Sequence, residues 1–128
     1  NGIQTIVSGV VQPGSAPVSK LDPKSLWLAS DVNCTTGSTT NFDNSCGKMI
    51  VLISNTLWGV LKPEEAYNLD KKMDDGFPGN GNMRTNWGNG GNTSLGTPCT
   101  NASSGSDFAA TYNVQATQKN CVLSFIGM

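Results

Sequence analysis

Pro63-Glu64-Glu65-Ala66-Tyr67-Asn68-Leu69-Asp70-Lys71-Lys72-Met73-Asp74-Asp75-Gly76 carries both a start and a stop signal for a helix. Pro63 suits a first turn, where its missing N–H would have no partner, and Glu64 and Glu65 complement the positive end of the helix dipole. Ala66, Leu69 and Met73 fall on one face. Gly76 can adopt the left-handed conformation that ends a helix, and Pro78 prevents its continuation. The expectation is one short helix over about 63–75.

On either side of it the chain reads as strands. Lys48-Met49-Ile50-Val51-Leu52-Ile53 is the most apolar run, and its length and branching predict a strand buried on both faces. Ser25-Leu26-Trp27-Leu28-Ala29 predicts a short strand, and Asn120-Cys121-Val122-Leu123-Ser124-Phe125-Ile126 a final one. The opening run Ile3–Val11 fits either a strand or the end of a helix. From Gly79 to Thr97, Gly and Asn dominate around Trp87, which predicts a long surface loop or an irregular hairpin. The whole reads as one β-rich α+β domain over residues 1–128, an antiparallel sheet with one short helix and long Gly/Asn-rich loops. A chain of 128 residues buries enough surface for a single core.

The four cysteines, Cys34, Cys46, Cys99 and Cys121, form an even set without Cys-x-x-Cys spacing, and no histidine is present to share a zinc site. Two disulfides are the natural reading. Three connectivities are open; Cys34 and Cys46 flank a short Gly/Ser/Thr/Asn-rich loop, which favours Cys34–Cys46 with Cys99–Cys121. Such bridges call for an oxidising compartment. No stretch approaches the roughly 20 apolar residues of a membrane span, and the chain starts at Asn1, as a processed or truncated product would.

Composition narrows the functional classes. A formal net charge of -1 supplies neither the basic field that phosphate backbones demand nor a polybasic patch for anionic lipid. Without histidine, Ser–His and Cys–His nucleophile pairs are unavailable. A glycosidase-like carboxylate pair drawn from Glu65, Asp70, Asp74 and Asp75 would need a deep sugar cleft, which a small domain poor in aromatics does not build. The chain is therefore expected to be no enzyme, and to need no cofactor unless calcium binds.

Two clusters remain. Asp70 and Asp74 sit one turn apart on the helix, where like charges repel, and Asp74 and Asp75 lie at its C-terminus, where the dipole disfavours anions. Calcium held by these carboxylates and by backbone carbonyls of the Gly-rich turn is one explanation. The other is capping of the Gly76-Phe77-Pro78-Gly79 turn through backbone amides, with Arg84 or Lys72 as ion partner. Trp87 with Asn89 and Asn92 forms the second cluster, either a ring flanked by amides as in sugar-stacking platforms or, more often for such a tryptophan, a ring folded back to anchor its own loop. A free secreted carbohydrate-binding module using Trp87, Tyr67 or Trp27 follows from the first alternative.

The stretch from Leu57-Trp58-Gly59-Val60-Leu61-Lys62-Pro63 through Ala66-Tyr67-Asn68-Leu69-Asp70-Lys71 to Asp74-Asp75-Gly76-Phe77-Pro78-Gly79-Asn80-Gly81 resembles a signature of bacterial prepilin-type proteins. There a leucine and proline lead into an Ala-Tyr/Trp-Asn-x-Asp-x-Lys helix and an Asp-Asp-Gly-x-Pro-x-x-Gly turn, before a cysteine-bearing final strand similar to Cys121–Phe125. The match covers about a fifth of the chain, residues 57–81. The apolar N-terminal stem helix of that family is not in the sequence. The resemblance implies the head domain of a type IV pilin or type II secretion pseudopilin. Such a head is a structural filament subunit at the bacterial cell surface, periplasmic before assembly. Its partners would be other pilin subunits, with adhesion to glycans or a host surface as a further role, and some pseudopilins hold calcium near the Asp-Asp-Gly turn.

Overall fold

A computed structural model of the chain describes residues 6–7, 10–11, 25–34, 36–37, 41–54, 59–87 and 98–126. In chain order these form strands β1 (Ile6–Val7), β2 (Val10–Val11), β3 (Ser25–Val32) and β4 (Gly47–Ser54), helix α1 (Pro63–Met73), and strands β5 (Met83–Thr85) and β6 (Leu123–Ile126). β1 and β2 pair antiparallel, so the β-branched opening run is strand and not helix where it is described. The other four strands make one antiparallel sheet in the order β3-β4-β6-β5.

β3 and β4 pair along their whole length, from Ser25↔Ser54 to Val32↔Gly47. β6 joins the other side of β4 over four pairs, Met49↔Ile126 to Leu52↔Leu123. Side chains alternate across a strand, so this register fixes the two faces. Trp27, Leu52, Leu123, Phe125, Met83 and Thr85 share the first. There Leu52, Met83 and Leu123 meet Ala66 of α1, Val60, Leu61, Tyr112 and both sulfurs of Cys99–Cys121 in one core, with Trp27 and Phe125 rings 6.0 Å apart at its border. Fully burying a leucine such as Leu52 contributes roughly 1.5–3 kcal/mol.

The second face is mostly apolar along β3 and β4, with Ser30, Ser124 and Arg84 also on it. Leu26 and Leu28 are buried and pack with Ile53 as a separate cluster. By alternation Met49, Val51 and Ile126 lie on the same side. α1 packs on the first face, and it is the one helix among the described residues.

Three expectations need correction. β4 is not sealed on both faces: Met49 and Leu52 are buried, one on each face, but Ile53 is half-buried, and so are Ile50 and Val51 although they pair with Phe125 and Ser124 of β6. Within 79–97, Met83–Thr85 is a sheet strand paired with β6, with Met83 and Thr85 buried, where the composition suggested a surface loop or an irregular hairpin. α1 stops at Met73, and its inward stripe is Pro63, Ala66 and Asp70, with Leu69 partly buried against the core. Met73 is 62% exposed. A carboxylate takes the inward position because two donors meet it there. Gly76 has φ +80°, in the left-handed region expected of a helix stop.

Both disulfides form as paired above, with Cα–Cα distances of 4.9 Å for Cys34–Cys46 and 5.1 Å for Cys99–Cys121. They suit an oxidising, extracytoplasmic environment. No helix among the described residues is long and apolar enough to cross a membrane.

Candidate functional site

The acidic residues at the end of α1 converge, and each is held for a separate reason. α1 begins with a half-formed capping box, the Lys62 N–H donating to Glu65 Oε1 at 3.0 Å. It ends where Asp74 N–H still donates to the Asp70 carbonyl. Asp70 has no exposed surface; its Oδ2 accepts from the Tyr112 hydroxyl at 2.6 Å and its Oδ1 from Gly76 N–H at 3.0 Å. Tyr112 stacks at a tilt on Tyr67 of α1, ring centroids 5.9 Å apart, and Lys71 lies over the Tyr67 ring.

Asp74 reaches forward to β5. Its Oδ2 accepts from Asn82 N–H at 2.6 Å and Met83 N–H at 2.9 Å, which sets the entry of β5 into the sheet. Asp75 Oδ1 accepts from Phe77 N–H at 2.8 Å, the local Asx turn. Capping of backbone amides is thus what the three carboxylates do. Ion pairing with Arg84 or Lys72 is not: among the described residues the salt bridge is Lys48–Asp31, on the exposed end of β3 and β4. Arg84 instead donates to the Gly81 and Asn44 carbonyls.

The electrostatics follow from burial. Loss of water pushes the Asp70 carboxyl up from 3.8 to about 6; the Tyr112 and Gly76 donors work against that, and the charges of Asp75 and Asp74 add to it. Burial, then the bond to Asp70, raises the Tyr112 phenol. Burial lowers the Arg84 guanidinium, with Asp74 and Asp75 opposing. Oxygens from Asp70, Asp74 and Asp75, one each, lie within 4.8 Å of one another, so these are the residues that would hold calcium. Each also accepts from a protein donor.

Trp87, the centre of the second cluster, is half-buried, and its carbonyl accepts from Thr100 Oγ1 at 2.7 Å. Asn89 and Asn92 lie outside the described residues. Sequence reasoning missed two residues that matter. Tyr112 lies 42 positions from Asp70, with no local signal. Phe42, buried to 1% exposure, sits inside the polar Cys34–Cys46 loop against Phe108 and beside Gly79; a lone aromatic in a polar loop was the available sign. A comparison of the chain with protein-family models, curated proteins and solved structures finds no match in any of the three.

Proposed function

We propose that the chain is the head of a filament subunit of the type IV pilin or type II secretion pseudopilin class, acting through assembly and not through catalysis. The supporting observation is the sheet's second face. Leu26, Leu28, Met49, Val51, Ile53 and Ile126 make it mostly apolar although α1 packs on the first face. A sheet with two apolar faces needs a layer on each. Leu26, Leu28 and Met49 on that face are already no more than 9% exposed while Val51, Ile53 and Ile126 are half-buried, so an apolar helical stem, which the resemblance supplies, would complete the cover over those three. Within the prepilin-like stretch, the described residues 59–81 form α1 and the Asp-Asp-Gly turn that leads into β5, and Leu61 ahead of α1 pairs with Cys121.

The reading is tested by expressing the complete gene product in cells with a working prepilin peptidase and assembly platform, then shearing the surface. The chain is expected in the sheared filament fraction, and Ile53→Asp is expected to remove it from filaments while soluble head still accumulates. Recovery only as free monomer in the medium, with wild-type sequence, would overturn it.

A further inference from the structure

The two disulfides differ in access. Cys99 and Cys121 have no exposed surface, whereas Cys34 is exposed and Cys46 half-buried. Thiol–disulfide exchange requires a thiolate to reach one sulfur, so access separates the two bonds by rate whatever their stabilities. Around the outer bond, the chain is secured independently on both sides. The β3–β4 ladder closes at Val32↔Gly47, immediately inside the bridge. Beyond it Phe42 is buried against Phe108, Asn44 Nδ2 donates to the Gly79 carbonyl at 3.1 Å, Arg84 donates to the Asn44 carbonyl, and Asp43 N–H donates to the Gly105 carbonyl at 2.9 Å. Opening the bond therefore leaves the hairpin paired and the far side of its loop seated.

We propose that Cys34–Cys46 is a thiol-exchange site for small solvent thiols of the glutathione class, with Cys34 as the sulfur that is attacked. A thiolate RS⁻ forms a bond to Cys34 Sγ as the Cys34–Cys46 bond breaks. Cys46 leaves as a thiolate and takes a proton from water, and Cys34 keeps the R–S–S–Cys adduct. A second thiolate attacks the R sulfur, forms RSSR and releases Cys34 as a thiolate, which takes a proton from water. Two small thiols thus supply the two electrons, and RSSR closes the bridge again by the reverse steps. The site goes beyond the filament reading and does not rest on it.

The experiment is incubation of the native protein with reduced glutathione at pH 8, quenching with iodoacetamide at intervals, and peptide mass spectrometry. Glutathione is expected on Cys34 and carbamidomethyl on Cys46 at least about tenfold faster than any opening of Cys99–Cys121, with near-UV circular dichroism retained. Opening of both bonds at equal rates, adducts on Cys46 in preference to Cys34, no exchange at either bond, or loss of the near-UV signal as the outer bond opens would each overturn it. A Cys34→Ser/Cys46→Ser double variant controls for the loop itself: its near-UV spectrum is expected to match the native one, and a collapsed spectrum likewise overturns the proposal.

Discussion

The loops closed by Cys34–Cys46 and Cys99–Cys121 span 12 and 22 residues, so chain entropy assigns them nearly the same stabilisation, about 3 kcal/mol each. Their surroundings are opposite. The inner bridge lies in the core beside Leu52 and Leu123, and the backbone of Cys121 is tied to Leu61 by Cys121 N–H to Leu61 carbonyl at 3.0 Å. The outer one edges a polar loop whose single buried aromatic, Phe42, does the anchoring. Crosslinks of similar expected stabilisation thus do different things: one completes a core, and the other ties a hairpin end that is already paired.

Removing each bridge is the sharpest way to break that comparison. Cys99→Ala/Cys121→Ala should cost about 5 kcal/mol, loop closure plus lost core packing, and Cys34→Ala/Cys46→Ala about 3 kcal/mol or less, both read by urea unfolding. Equal costs would show that burial adds nothing to the inner bridge. A smaller effect is expected beside that bridge at Gly59. A Cβ there would run into the Asn120 carbonyl carbon and lie 2.6 Å from Cys121 N, so Gly59→Ala should cost about 2 kcal/mol by forcing backbone apart, again in urea.

The third effect tests the carboxylate that binds the inner region to α1. Asp70 has a folded pKa of about 6 against 3.8 unfolded, so between those values the folded state holds more protons. Stability then rises as pH falls, by roughly 1 kcal/mol from pH 7.5 to 5, and declines again on the way back up. Asp70→Asn should remove that slope in denaturation measured across the range. Smallest is calcium: because donors already meet Asp70, Asp74 and Asp75, millimolar calcium against EGTA should change stability by less than about 1 kcal/mol. A larger, saturable shift would place an ion among them.

Much of the outline was legible because it is local. Pro63, Glu64, Glu65 and Gly76 mark both ends of α1 by turn chemistry, and the Val/Ile/Leu runs mark β3, β4 and β6. The cysteine pairing followed from the spacing of Cys34 and Cys46. What escaped is non-local. Nothing near Met83 announces a strand, since β5 exists because Asp74 holds its first amides and β6 lies beside it. Nothing near Asp70 announces Tyr112, so an inward aspartate looked less credible than an inward Met73. The carboxylate cluster was found by composition, but its occupation by backbone amides required the turn's three-dimensional path.

The order β3-β4-β6-β5 also has a consequence during synthesis. β4 gains its first neighbour from the adjoining hairpin, but its second, β6, is encoded more than 70 residues later, Met49 pairing with Ile126. Long-range pairing of this kind is slow to form. A growing polypeptide consequently carries a one-sided sheet until residues 123–126 have been made, and the inner crosslink has to wait for the same moment, since Cys121 arrives just ahead of them. Translocation before the last strand emerges would therefore move an open chain, with oxidation and closure both left to the far side.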